Sequence, residues 1–365
     1  MGPMKTRAFS LVELMIALAM ATAISAAALM ASAQIGRVMS DTRRRVIVLD
    51  EAKRINEALT TEIQESGGSP LAPNRAVVVD NGACAAIAGL TTDANIPACD
   101  GNDRLLLTSV RTTFVTSTGV ERSLGTCDVV SVNGSVLQLQ ADTNGNCSCL
   151  FPENPVGRGI IDDEPSPYSR STVSLVRESD GAVFRLNVKS TVRGCALSVP
   201  AGAGNPPNSE LGPGVIVPVT QRLFFSAPDP TLPQARQIRV WSDVAHGSDH
   251  PDGVPSIDEL SLFADHVYSF QVALGYDAGD DGDLVDSSAT DDEWVGNVPA
   301  DTRPSAIADD GLLRMVGTGI IVGERVVLTG TPAQVFDGPT VATPGIYYAT
   351  ATTKIALRNL NISVP

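Results

Sequence analysis

The sequence predicts an α+β protein: a long N-terminal α-helix, membrane-spanning in its first half, packed on an antiparallel, β-rich extracytoplasmic domain. Three observations predict it. An apolar run from Phe9 to Ala33 contains a single charge, Glu13. Beyond it Val48, Ala52, Ile55, Leu59 and Ile63 recur at spacings of three and four, which puts them on one face of a continuing helix. From Arg75 onward short β-type runs alternate with turn-forming clusters, in a chain with 32 Gly and 24 Pro but only 4% aromatic residues. The expected division is a leader over residues 1–8, a membrane helix over 9–33, its amphipathic continuation over 34–66 and a β-rich domain over 67–365.

At about 1.5 Å per residue, a helix over the apolar run crosses a hydrocarbon core of about 30 Å. No proline interrupts the helical pattern, and the first glycine is Gly36. The run Gly67-Gly68-Ser69-Pro70 stops it, so one helix is expected over residues 9–66. Arg54, Glu57 and Glu62 fall on the face opposite the apolar one.

Nine strands are expected before the C-terminal third: residues 76–79, 105–110, 113–116, 129–132, 136–139, 173–177, 183–189, 215–226 and 237–241. Asn133-Gly134 and Asn144-Gly145 mark turns, and residues 200–214 form a Pro/Gly-rich loop. Residues 257–274 read as a short helical piece followed by a strand over 267–274. Strands over 312–322 and 352–360 close the chain. No alternation of strand and long helix supports a doubly wound fold.

Lys5 and Arg7 precede the apolar run, Ala8 stands immediately before Phe9, and Ser10-Leu11-Val12-Glu13-Leu14-Met15 opens it. This segment resembles the prepilin signal of type IV pilins and type II secretion pseudopilins. The resemblance implies cleavage by prepilin peptidase between Ala8 and Phe9, with N-methylation of Phe9. It also implies an assembly role for Glu13, the fifth residue of the mature chain, which pairs with the N-terminal amine of a neighbouring subunit. Physically, an unpaired charge deep in a bilayer costs about 2.5–3.5 kcal/mol on insertion scales, so a neutralising partner draws subunits together. Alternatively Glu13 lies at the membrane edge and reaches water. Ala8 departs from the family's usual Gly, which implies slower processing. Toward the C-terminus, a strand leading into Gly275-Tyr276-Asp277 and an acidic loop, with a final Leu357-Arg358-Asn359-Leu360, is similar to PilW-type minor pilins, relatives of the J-type minor pseudopilins. A pilin-like fold follows from the resemblance; residues 70–256 contribute little to it.

Orientation draws opposing signals. Arg37, Arg43, Arg44, Arg45, Lys53 and Arg54 follow the helix, and a Lys/Arg count alone would leave the large domain in the cytoplasm. Against this stand six cysteines, Cys84, Cys99, Cys127, Cys147, Cys149 and Cys195. An even number clustered in one region fits disulfides in an oxidising compartment, and the resemblance also places the domain outside. Cys84 with Cys99 is a natural local pair, and Cys127 with Cys147 or Cys149 leaves Cys195 for the other. Zinc is disfavoured because Cys147-Ser148-Cys149 is too close for the usual spacing and no His is near.

Calcium is the one cofactor the sequence suggests. In the loop from Asp277 to Asp286, Asp277, Asp281 and Asp283 occupy positions one, five and seven of a calcium-type loop, with Gly282 at the sharp turn. Gly279 at position three and Ser288 at position twelve depart from the pattern; Asp286 or the Asp291-Asp292-Glu293 cluster would have to substitute. The alternative is a solvated acidic loop between strands. The three histidines, His246, His250 and His266, sit in no catalytic motif, and no enzyme activity is expected. A net charge of −15 argues against nucleic-acid binding. The expected function is therefore a minor pilin that primes assembly of a type IV pilus and joins its tip complex. Its expected partners are other minor pilins, the major pilin and a tip adhesin, and its expected location is the inner membrane and then the fibre. A type II secretion pseudopilin is the first alternative; a membrane-anchored adhesin or enzyme is the next.

Overall fold

The computed structural model describes residues 10–66, 76–80, 101–110, 113–115, 121–123, 126–141, 171–179, 183–190, 195–199, 206–230, 234–242, 260–277, 293–296, 312–325, 332–336, 340–344 and 346–357, with single residues 232, 284 and 338. One long helix, α1 (Leu11–Glu65), runs unbroken for 55 residues. Ser10 caps its start: the Ser10 hydroxyl accepts from the Glu13 amide at 3.2 Å and the Glu13 carboxylate accepts from the Ser10 amide at 3.0 Å. This reciprocal pair satisfies two backbone donors that a helix terminus otherwise leaves open. At the other end Ser66 is extended, and both its amide and its hydroxyl donate to the Ile63 carbonyl. The helix thus ends where the sequence places the stop.

All strands among the described residues pair antiparallel. In chain order they are β1 (Val77–Asp80), β2 (Arg104–Val110), β3 (Thr113–Val115), β4 (Glu121–Ser123), β5 (Cys127–Asn133), β6 (Val136–Leu139), β7 (Ser171–Arg177), β8 (Val183–Ser190), β9 (Ala196–Ser198), β10 (Gly214–Pro228), β11 (Arg236–Ser242), β12 (Leu260–Asp277), β13 (Trp294–Val295), β14 (Leu312–Arg325) and β15 (Ile346–Ala356). The main sheet runs β15-β14-β12-β11-β10-β2-β1, with β13 added on β12; β3 and β4 form a separate hairpin. The second half of α1 lies across this sheet, mostly over β14 and β15. Its buried apolar positions are Val48, Ala52, Ile55, Leu59 and Ile63, the five that share the expected face. They join Phe224, Ile238, Phe270, Val316, Ile320 and Ile355 in one core.

Asn56 is a polar exception on that face, buried to 5% exposure. Thr318 on β14 and Thr353 on β15 are directly paired across the strands. The Thr318 hydroxyl donates to Asn56 Oδ1 at 2.6 Å, and Asn56 Nδ2 donates to the Thr353 hydroxyl at 2.5 Å. Glu62, expected on the outward face, instead reaches Arg222 of β10 in a half-buried ion pair.

A second core lies between β2 and β10 in sequence. The ladder β10-β5-β6-β9-β8-β7 returns to β10, so six strands close into a small barrel. Cys127, Val129, Leu137, Leu139, Leu175, Leu186, Cys195, Leu197 and Ile216 fill it. Alternation along β5, with Cys127 and Val129 buried and Asp128 and Val130 exposed, is the pattern of a strand with one face inward. β10 belongs to both units. Gly214–Ile216 pair with β5, and Gly214–Pro218 pair with β7. Val219–Phe224 pair with β2, and Arg222–Pro228 with β11. Pro218, which has no N–H to give a ladder, sits where β10 exchanges one set of partners for the other.

The expected helical piece before residue 267 is corrected by the structure: residues 260–277 are one strand. The spacing of Leu260, Phe263, Ala264 and Val267 imitates a helix because the strand is bulged. Arg236 pairs with Val267, Ile238 with Ala264 and Arg239 with Leu262, with register shifts between them. His266 takes a φ of 54°, a left-handed kink that resets the alternation. The terminal strand also begins earlier than expected, at Ile346, and ends at Ala356.

Candidate functional site

The residues of α1 from Leu11 through Ser40 are all exposed, and only from Asp41 does the helix begin to bury side chains. Leu11 is 76% exposed, Ile24 70% and Met30 73%. A face-specific stripe would be a docking surface for this chain's own domain; here every side of the helix is apolar and bare. It is the one helix among the described residues long and apolar enough to cross a membrane. Two threonine hydroxyls, one within and one just beyond the stretch, are internally satisfied: Thr22 Oγ1 donates to the Ala19 carbonyl at 2.9 Å and Thr42 Oγ1 to the Val38 carbonyl at 2.8 Å. Such bonds remove the cost of a hydroxyl in hydrocarbon.

Glu13 is the charge at the head of this stretch. Its carboxylate is held by the Ser10 amide, so it is part of the helix cap as well as a charge. The signal was present as Ser10-Leu11-Val12-Glu13, the S-x-x-E pattern that marks a helix start ahead of an apolar run. Ala8 and Phe9 lie outside the described residues.

The remaining candidates are spread over the β region. Cys127 and Cys195 are both disulfide-bonded and buried in the barrel core. Cys84, Cys99, Cys147 and Cys149 lie outside the described residues, and no described cysteine is free. Asp277 ends β12 fully buried, and its Oδ2 accepts from Arg314 Nε at 3.2 Å. The first position of the acidic loop is therefore engaged by a cation of the chain itself. Gly279, Asp281, Asp283 and Asp286 fall outside the described residues, as do His246 and His250. Among the described residues no cluster of three or more His, Cys, Asp or Glu is placed to hold a metal.

Gly275, in the Gly275-Tyr276-Asp277 motif, has a packing reason. A Cβ there would stand 3.2 Å from the Trp294 ring and 2.9 Å from Leu284. Trp294, 2% exposed, lies across β12 and carries Lys354 Nζ 4.2 Å from its ring centroid. Sequence reading missed Trp294; a lone tryptophan within a polar stretch, Asp291-Asp292-Glu293-Trp294, was the available signal.

The geometry defines a class: a protein whose bare apolar half-helix, long enough to cross a membrane, continues into a helix docked on an antiparallel β domain. Comparison with known protein families, curated proteins and solved structures finds no match.

Proposed function

We infer that the chain is a minor pilin that helps prime a type IV pilus and forms part of its tip complex. One observation carries this reading: a single continuous helix is bare and apolar in its first half and fixed to a β domain by its second. Such a helix has two equivalent apolar environments, a bilayer and a bundle of like helices, and transfer between them need not change the domain. Relative to water, burial stabilises the apolar residues in either environment by about 25 cal/mol per Å² of surface covered, so the choice between the two rests on helix packing and on Glu13. Glu13 adds direction, because its charge is neutralised where a neighbour's amine meets it.

The test uses two measurements. Deletion of the chain should abolish surface pili seen by electron microscopy while leaving enzyme secretion into the medium intact; the reverse pattern would make it a pseudopilin. Glu13→Gln separates cap from charge, since Gln at that position still accepts from the Ser10 amide. The expected outcome is normal membrane insertion with loss of incorporation into fibres. Normal incorporation of Glu13→Gln would sink the pairing mechanism.

A further inference from the structure

A basic collar follows directly on the apolar stretch. Residues 1–54 hold eight of the chain's 26 Lys and Arg but only four of its 41 Asp and Glu, so this segment is basic where the rest of the chain is acidic. Arg37, Arg43 and Arg44 are exposed, and Arg45 stacks over the Tyr347 ring at 4.8 Å. Farther along, Lys53 and Arg54 are paired with Glu57 and Glu51. Arg37 and Arg43 form no ion pair among the described residues, and Asp41, the acid between them, is buried to 4% exposure. At about 100° per residue, Arg37 and Arg44 share one side of the helix and Arg43 extends the surface around it.

The collar also sits at a defined height. Counted along the apolar run from Glu13, about 30 Å of helix ends near Ala33, the last residue of that run. Arg37 then lies about 6 Å beyond, within the headgroup layer, and Arg43 and Arg44 about 15 Å beyond. Helical side chains lean toward the N-terminus, which here is toward the bilayer, and long arginine stems extend that reach. Tyr347, at the start of β15, meets the helix at Arg45, so the collar lies between the acidic domain and the membrane surface.

We propose that Arg37, Arg43 and Arg44 form a binding surface for anionic phospholipid headgroups of the leaflet that faces the β-rich domain. The proposal rests on residues 11–33 spanning the membrane. Guanidinium groups bind phosphate oxygens two at a time, which an ammonium does not. The contact also gives these arginines a role on the side of the membrane that a simple charge count disfavours. It holds an acidic domain next to an anionic surface that would otherwise repel it.

The experiment places the full-length chain in bilayers of phosphatidylcholine containing a trace of spin-labelled phosphatidylglycerol or spin-labelled phosphatidylcholine. Electron paramagnetic resonance then gives the relative association of the two lipids with the protein. The expected preference for phosphatidylglycerol is about fivefold for each arginine engaged, and it falls as salt screens the contact. The triple substitution Arg37→Gln, Arg43→Gln, Arg44→Gln should bring the ratio to near one, with an unchanged thermal transition. The corresponding triple lysine variant should keep most of it. A ratio of one in the unaltered chain, or a ratio untouched by the glutamine substitutions, overturns the proposal. Resistance to alkaline extraction from pure phosphatidylcholine vesicles checks the span independently. A chain that inserts but shows no preference loses the collar alone, whereas one that is extracted loses the span and the collar together.

Discussion

Asn56 shows how a single polar residue fixes what apolar burial leaves loose. Val48, Ala52, Ile55, Leu59 and Ile63 would tolerate a helix shifted along the sheet, because apolar contact is non-directional. Asn56 would not: displacement by one turn separates it from Thr318 and Thr353 and strands two buried polar groups and a half-buried hydroxyl. Asn56→Ala is therefore expected to cost about 2–4 kcal/mol in thermal or denaturant unfolding, from lost hydrogen bonds and unsatisfied hydroxyls. Replacing all three, as Asn56→Leu with Thr318→Val and Thr353→Val, should recover most of that loss, since no unpaired group then remains. A triple variant as unstable as the single one would show that packing shape, not hydrogen bonding, holds the helix. The partners of Asn56 lie 262 and 297 residues away, so sequence periodicity gave no hint of them. The same holds for Arg222, which draws Glu62 away from the solvent face that its helical position suggests.

At the scale of elements, α1 and most strands were legible because their signals are local. The apolar run, the three-four spacing and the glycine stop predicted the helix to within two residues of its observed limits at each end. β12 was misread for a local reason too: its bulges shift the side-chain alternation by a residue, and the resulting spacing looks helical. β10 is the element on which the β region turns, and Gly214 is its tightest point. A Cβ there would stand 2.1 Å from the Val176 carbonyl oxygen, and backbone cannot move aside as a side chain can. Gly214 pairs with Val129 on one side and Arg177 on the other, so it is a closing residue of the barrel. Gly214→Ala is expected to cost about 3 kcal/mol or more, above the usual overpacking penalty. Hydrogen exchange should quicken in β5, β7 and the start of β10, while β12, β14 and β15 keep their protection. Uniform loss of protection would mean that the two units unfold as one.

For the molecule as a whole, the two cores predict separable stabilities. The main core is closed by α1 and owes nothing to the described cysteines, whereas Cys127 and Cys195, both disulfide-bonded, are buried in the barrel core. Reduction should therefore loosen the barrel first, by about 2–5 kcal/mol for each bridge lost. Mass spectrometry after exchange would read this as deuterium uptake over residues 127–139 and 171–199 at reductant concentrations that leave β14 and β15 protected. Thiol labelling of Cys127 or Cys195 without reductant would contradict their bonding.

The sequence by itself determined the elements and their order: a helix apolar enough in its first half to cross a membrane, an amphipathic continuation, and antiparallel strands marked by turns. These follow from interactions between residues a few positions apart, which a linear reading can follow. Tertiary structure decided which of these elements meet. It closed β5 to β9 on β10 as a barrel, paired Thr318 with Thr353 beneath Asn56, and set Arg314 against Asp277. Strand order and polar pairing depend on which distant segments bury one another, and that selection is made by the whole fold rather than by any local pattern.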